Sequence, residues 1–216
     1  MVLDAAMDQL GGWLRDVRAE RRAAKENAAA QLLYSATVLV RTMRDYDNQA
    51  RSAYLRAQAL ASEEPDAHED PSMKEIRRAA YEKLQSFEEI KDLIYTARDA
   101  LTAVVADRAQ VAEAEYESAL STLIDRGKAF VDVTGQVKGA KEQYVVDSSN
   151  GLYKPSLLRL MGKGFASAGI AAYAQGMLDR LAPLSTLVDE AVDAYSELSV
   201  TIRRMHHLPP LPAKSL

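Results

Sequence analysis

Apolar residues recur in steps of three and four along most of this chain, and the longest of these runs spans its middle. The run starts with Met73, Ile76, Ala80, Lys83, Phe87, Ile90, Ile94, Ala97, Leu101, Val104, Arg108 and Val111. It then shifts by one residue and continues through Ala112, Tyr116, Ala119, Leu123, Arg126, Phe130, Val133, Val137, Ala140 and Tyr144. Because this spacing keeps side chains on one face of an α-helix, we predict a single helix over residues 72–147, about 110 Å long.

Two further runs of the same kind predict two more long helices. The first consists of Ala29, Leu32, Ala36, Leu39, Met43, Tyr46, Ala50, Ala53, Ala57 and Leu60. The other consists of Ile170, Ala174, Met177, Leu181, Leu184, Val188, Ala191, Tyr195, Leu198, Ile202 and Met205. Pro65 and Pro71 separate the first helix from the second, and Asn150-Gly151 separates the second from the third. Pro183 lies inside the last run without changing its phase, so we expect a kink there.

The fold class that follows is all-α, with three long, kinked, antiparallel helices joined by short turns. Apolar side chains also flank the three runs, and a bundle of three helices has too little interior to bury them all. These flanking residues are Leu33, Val38, Val40, Tyr54, Leu55, Leu84, Val105 and Leu120. We therefore expect an elongated coiled-coil bundle that pairs with a second copy of the chain, giving a six-helix homodimer.

Composition and missing motifs exclude several classes of function. The chain of 216 residues has a net charge of −4 and no cysteine, which argues against a nucleic-acid partner and excludes disulfide and thiolate chemistry. It has no P-loop, no nucleophile elbow and no Glu-x-x-His pair, so we predict neither an enzyme nor a bound cofactor or metal. No apolar run is long enough to cross a membrane and no signal peptide is evident, so we expect a cytoplasmic protein.

A segment of the third predicted helix resembles a known family. Residues 165–181 read Phe-Ala-Ser-Ala-Gly-Ile-Ala-Ala-Tyr-Ala-Gln-Gly-Met-Leu-Asp-Arg-Leu, which resembles the pattern of Phe, aromatic and small residues, and Leu-x-x-Leu found in BAR domains. Residues 114–120, Ala-Glu-Tyr-Glu-Ser-Ala-Leu, are similar to the Tyr-Glu-x-Ala stretch of the same family. The resemblance covers about residues 10–208, and it implies a curved six-helix dimer that binds and bends membranes. Tyr173-Ala174 departs from it, since many members have Tyr-His there.

Basic residues are concentrated around the predicted turn between the second and third helices. Two acids lie between residues 135 and 163, and the bases there are Lys138, Lys141, Lys154, Arg159 and Lys163. In BAR domains this turn is the distal tip, so the resemblance implies that these residues bind anionic lipid, where each base is worth about 1 kcal/mol. An ordinary solvated turn is the alternative.

A second basic block lies near the N-terminus. It consists of Arg15, Arg18, Arg21, Arg22 and Lys25, with two acids among them and Glu26 directly after. Contact with lipid and salt bridges along the helix surface both explain it. Leu10, Trp13 and Leu14 precede the block on a short amphipathic stripe that Gly11-Gly12 interrupts. They are candidates for a membrane wedge, with packing on the end of the rod as the alternative.

These segments divide the chain into an amphipathic N-terminal segment (1–14), a three-helix domain (15–208) and a proline-rich tail (209–216). In the tail, Pro209, Pro212 and Lys214 match the Pro-x-x-Pro-x-Lys ligand of SH3 domains. His206 and His207, at the end of the last helix, are expected to be exposed.

We therefore predict a homodimeric scaffold, peripheral on membranes, that binds anionic lipid and senses or generates curvature. The alternative is a helical adaptor that binds a small GTPase, an SH3 protein or another protein partner without remodelling a membrane. A pore former would need a membrane-length apolar hairpin, which the sequence lacks.

Overall fold

The described parts of the protein contain α-helices as their only regular elements, which confirms the all-α class. The computed structural model describes residues 2–62, 88–111, 113–149 and 163–209, with side chains described in 17–59, 90–111, 113–138 and 171–209. The helices are α1 (Val2–Ser62), α2 (Glu88–Val111), α3 (Ala114–Ser149) and α4 (Lys163–Met205). The predicted turns at 62–72 and 150–155, and the start of the second predicted helix, lie outside the described residues.

The second predicted helix folds back on itself at Val111. A Cβ atom added to Gly127 of α3 would lie 2.9 Å from Cδ1 of Leu101 in α2, whereas in one straight helix these residues would be about 39 Å apart. An ion pair between Arg108 and Glu117 joins the two helices nearer the turn. The prediction of one helix over 72–147 is therefore wrong within residues 88–149. The shift of the apolar run after Val111 marks a turn between two helices.

The four helices form an antiparallel bundle. α1 packs along α2 and along α4, α3 packs along α4, and α1 and α3 lie diagonally opposite. Hydrogen bonds between side chains fix these directions: Ser35 of α1 bonds Asp107 of α2, and Thr37 of α1 bonds Tyr195 of α4. Alternating directions with neighbouring helices in contact are the up-down-up-down arrangement of four-helix bundles. Folding back lets α2 and α3 bury their apolar stripes in one shared core.

The apolar runs of α1 and α4 supply much of this core, as their spacing predicts. The buried members in α1 are Ala29, Leu32, Ala36, Leu39, Met43, Tyr46, Ala50 and Ala57. Those in α4 are Ala174, Met177, Leu181, Leu184, Val188, Ala191, Tyr195, Leu198 and Ile202. In the middle of the core the rings of Tyr46 and Phe130 meet edge to face, with centroids 5.4 Å apart.

α4 continues through Pro183, as the unbroken phase of its run predicts. Proline lacks an N–H and disturbs the hydrogen bonds of the helix around it. A guanidinium nitrogen of Arg51 in α1 donates to the carbonyl oxygen of Leu181, two residues before the proline, at 3.2 Å. The same nitrogen donates to Asp47 at 2.8 Å. This link joins α1 to α4 at the proline and pairs a carboxylate that is largely buried.

Two glycines of α3 provide a matched test of the folded-back hairpin. A Cβ at Gly127 would also lie 3.2 Å from Cδ2 of Leu39, whereas nothing lies within 4 Å of a Cβ at Gly135. We expect Gly127→Val to lower the free energy of unfolding by about 1–3 kcal/mol, because the added methyl groups overpack the core. Gly135→Val should leave it unchanged or raise it slightly, since valine favours a helix more than glycine does. Urea unfolding of both variants measures the difference, and equal effects would contradict the hairpin.

Candidate functional site

The N-terminal part of α1 extends beyond the first contacts of that helix with the rest of the bundle. Lys25 is the first described residue of α1 with a hydrogen bond or ion pair to another part of the bundle, namely to Glu113 in the α2–α3 turn. Described side chains from residue 18 to residue 25 are exposed, and the first buried one is Ala29. We call residues 2–24 the projecting segment; as a helix it is about 35 Å long.

Three exposed arginines lie in the described part of the projecting segment, residues 17–24. Arg22 pairs with Glu26 through Nε and Oε1 at 3.1 Å, and Lys25 pairs with Glu113 at 3.4 Å. Exposed pairs of this kind contribute little to stability. Among the described side chains, no ion pair involves Arg18 or Arg21. Salt bridging along the helix surface therefore accounts for only part of the basic block that the sequence predicts here.

The second predicted lipid-binding group lies away from the projecting segment. Lys138 is exposed on α3, with Nζ 6.0 Å from the centre of the Tyr95 ring of α2. Counted along α3, it lies about 38 Å from Glu113, beside which the projecting segment begins. Lys141 is in α3 and Lys163 begins α4, but their side chains lie outside the described set, as do Lys154 and Arg159 altogether. Of the second group, the described side chain, Lys138, does not share a face with the projecting segment.

The predicted wedge residues are part of the projecting segment. Leu10, Trp13 and Leu14 occupy positions of α1 that share one side of the helix, and Arg15 follows them on a different side. Their side chains lie outside the described set. α1 continues without a break through Gly11-Gly12 and through residue 14, so the glycines do not end the helix.

Two buried polar atoms lie near the end of the bundle from which the projecting segment emerges. The hydroxyl of Tyr116 and Nε2 of His206 have no hydrogen-bond partner among the described residues. His206 is 8% exposed, so the expectation that it is exposed is wrong, while His207 is exposed as expected. Burial, with smaller contributions from Glu113, Glu115 and Glu117, raises the pKa of Tyr116 to about 12.

The burial of His206 follows from the way α4 ends. His207 has a left-handed backbone with φ of 53°, and the amide of Leu208 donates to the carbonyl of Arg203 at 3.1 Å. This bond, from the second residue past the helix cap back into the last turn, is that of a Schellman motif. It turns the chain inward so that Leu208 packs against the core. Sequence reasoning missed this because no glycine marks the position.

Pro209 is the first residue of the predicted proline-rich tail and the last one that the structure describes. It is exposed, and its carbonyl oxygen accepts a hydrogen bond from Arg203 of α4. Pro212 and Lys214 lie outside the described residues.

The described residues contain no group of acidic or histidine side chains arranged to hold a metal ion. Within the same parts of the chain, none of the helices is sufficiently long and apolar to span a membrane. No protein-family model matches this chain, and no curated protein or solved structure is significantly similar to it.

Tyr116 and Tyr195 make a matched pair of buried tyrosines with different hydroxyl environments. The Tyr195 hydroxyl lies 2.7 Å from Oγ1 of Thr37, within hydrogen-bond distance, whereas that of Tyr116 has no described partner. We expect Tyr195→Phe to lower the free energy of unfolding by about 1 kcal/mol, and Tyr116→Phe to leave it equal or higher. Urea unfolding at pH 7 measures both, and a larger loss for Tyr116→Phe would contradict this.

The raised pKa of Tyr116 predicts a loss of stability in alkali. Its folded-state pKa of about 12 lies above the ordinary value of 10.0, so above pH 10 the unfolded chain releases this proton more readily than the folded one. The stabilising contribution is complete below pH 10 and is lost as the pH rises toward 12. We expect Tyr116→Phe to reduce the fall in unfolding free energy between pH 9 and pH 11. If the unfolding free energy falls equally in the variant and in the unaltered protein, the Tyr116 hydroxyl is not buried as described.

Proposed function

We propose that the protein binds anionic membrane surfaces peripherally, through the projecting segment of α1. The observation that carries this proposal is the set of exposed bases Arg18, Arg21 and Arg22 on a helix that has left the bundle. Each base near an anionic surface is worth about 1 kcal/mol. Residues 17–24 carry three arginines and one acid, whereas the chain as a whole has a net charge of −4, so attraction to a negative surface is local to this stretch.

The sequence ahead of these bases supplies an apolar component. Leu10, Trp13 and Leu14 are at positions on one side of the same helix, and such residues enter the interface between headgroups and acyl chains. Charge alone gives weak, salt-sensitive binding, and a short apolar stripe alone gives marginal binding. The proposal combines the two in one continuous helix.

The resemblance to BAR domains supports lipid binding but not every part of the predicted scaffold. A single long second helix is the rod from which those domains build a curved face. Here α2 and α3 fold back on each other, and Lys138 lies far along the bundle from the projecting segment. Curvature sensing or generation would therefore depend on a dimer in a different arrangement. The cellular setting that fits the proposal is the cytoplasmic face of an anionic membrane.

Charge reversal on the projecting segment tests the proposal. We expect Arg18→Glu/Arg21→Glu to weaken binding to phosphatidylserine-containing vesicles by at least about tenfold in 50 mM salt, because it replaces attraction by repulsion. The matched control is Arg44→Glu/Arg56→Glu, which changes two exposed bases of α1 within the bundle by the same charge. Sedimentation with vesicles, with and without anionic lipid, measures the binding.

The single tryptophan gives an independent reading of the same event. Trp13 is the only tryptophan in the chain, so a blue shift of its emission on adding anionic vesicles reports entry of the wedge into lipid. No binding by the unaltered protein in low salt, or equal losses in the two double variants, would refute the proposal.

A helical adaptor is the second candidate function. Tyr34 of α1 and Val200 of α4 are 66% and 67% exposed on neighbouring helices, and large exposed apolar side chains favour a protein partner. The partners to test are purified small GTPases and SH3 domains, by calorimetry. Binding lost in Tyr34→Ser/Val200→Ser, or in Pro212→Ala for an SH3 domain, without any binding to vesicles, would favour the adaptor.

A further inference from the structure

The turn between α2 and α3 has the sequence of a helix. Residues 111–114 are Val-Ala-Glu-Ala, with none of the Gly, Pro, Asn, Asp or Ser residues that usually form turns or cap helices. Alanine and glutamate are among the strongest helix formers. Glu113 has no regular structure, and α3 begins at the next residue. Local sequence therefore favours continuing α2 into α3, and the surrounding packing opposes it.

The packing that holds the hairpin closed is limited. α2 and α3 contact each other less than any other pair of neighbouring helices in the bundle. They are tight at Gly127, and further along α3 the contact with α2 is a longer one, with Nζ of Lys138 6.0 Å from the centre of the Tyr95 ring. Beside the turn, the ion pairs Arg108–Glu117 and Lys25–Glu113 are partly exposed, and such pairs contribute little.

The remaining contacts group the helices into two pairs. α1 packs extensively on α2, and α3 packs extensively on α4, where Arg126 lies 2.6 Å from Glu190. If the hairpin opened, each pair would stay intact. The interface between α1 and α4, which includes the hydrogen bond of Gln58 to Gln175 at 2.6 Å, would be lost within the chain. A second copy of the chain presents the same surfaces and can restore it.

We propose that this chain forms a domain-swapped dimer through the α2–α3 turn. In that dimer α2 and α3 join into one continuous helix, about 93 Å long from Glu88 to Ser149. The α3–α4 pair of each chain packs on the α1–α2 pair of the other, so that each half of the dimer repeats the bundle described above. A short turn whose sequence favours a continuous helix favours this kind of exchange.

The apolar run of the sequence is compatible with the exchange. Its shift of one residue after Val111 rotates the stripe by about 100° in a straight helix. In the swapped dimer the stripes of α2 and α3 face two separate bundles, so they do not have to share one side. The exchange keeps most contacts, and its main cost is the translational and rotational freedom lost when two chains pair. Because this cost falls as protein concentration rises, dimers should be favoured at high concentration.

Cross-linking between chains tests the exchange directly, because the protein has no cysteine. Gln58→Cys is introduced in one chain and Gln175→Cys in another. The two are mixed, partly unfolded in urea, and refolded together at high concentration. The two cysteines face each other across α1 and α4, so a short bismaleimide should link the two chains only if α4 of one packs on α1 of the other. Each variant alone is the control and should give no such covalent dimer.

A proline at the start of α3 supplies the matched variant. Ala114 is exposed at the first position of α3, where proline is accepted, but within a continuous helix proline costs about 3 kcal/mol. We expect Ala114→Pro to lower the association constant at least a hundredfold, to abolish the cross-link, and to leave the circular dichroism of the monomer unchanged. Ala114→Ser, which breaks no helix, should retain the cross-link.

Three results would overturn the exchange: no cross-link after refolding at high concentration, a dimer in light scattering that gives no cross-link, or a cross-link that persists in Ala114→Pro. If Ala114→Pro does not fold, two glycines inserted after Glu113 replace it, since a longer flexible turn also favours the closed hairpin. Persistence of the cross-link in that variant would overturn the exchange equally. These cross-linking experiments involve no lipid, so their outcome is independent of whether the protein binds membranes.

Discussion

The close approach of α3 to α1 and α2 at Gly127 is the contact on which the rest of the structure depends. Methyl groups of Leu39 and Leu101 lie where a side chain at residue 127 would project, and glycine, which has no Cβ, leaves them room. With that contact made, α2 and α3 lie side by side, and their apolar stripes close one core with α1 and α4. The same approach turns a sequence with the pattern of a long rod into a bundle of four helices.

The buried core offers no polar group that is available to bind a ligand among the described residues, so the candidate functional groups are on the surface. Its polar side chains are bound by neighbours within the bundle, as Asp47 is by Arg51 and Tyr195 by Thr37, or are buried without a described partner, as Tyr116 is. The proposed membrane contact uses the exposed arginines at the end of α1 that leaves the bundle. These arginines extend from a rigid helix that the bundle anchors from Lys25 onward. This is why membrane association is proposed through one end of the molecule and not along a curved face.

The turn at residues 111–114 connects the closed bundle to the proposed dimer. A heptad pattern predicts which face of a helix is apolar. A helix from the same chain can bury that face as well as a helix from a second chain can. At this turn the local preference for helix and the overall burial of the core favour different structures. In the proposed exchange, this conflict brings the two arrangements close enough in free energy for concentration to select between them.

The sequence by itself determined the helical class, the apolar positions of α1 and α4 from Ala29 to Ile202, and the passage of α4 through Pro183, because each follows from local periodicity. Of the candidate site, it identified the basic block at Arg18, Arg21 and Arg22 but not its position on a helix that leaves the bundle. Only the tertiary structure decided where the second predicted helix turns, which basic residues lie apart, and that His206 is buried. The residues of this turn do not themselves predict it, and the one-residue shift of the apolar run after Val111 fits a slip within one helix as well as a turn. The turn forms because folding back buries two apolar stripes in one core, and that gain depends on residues such as Gly127 and Leu39 that are distant in sequence.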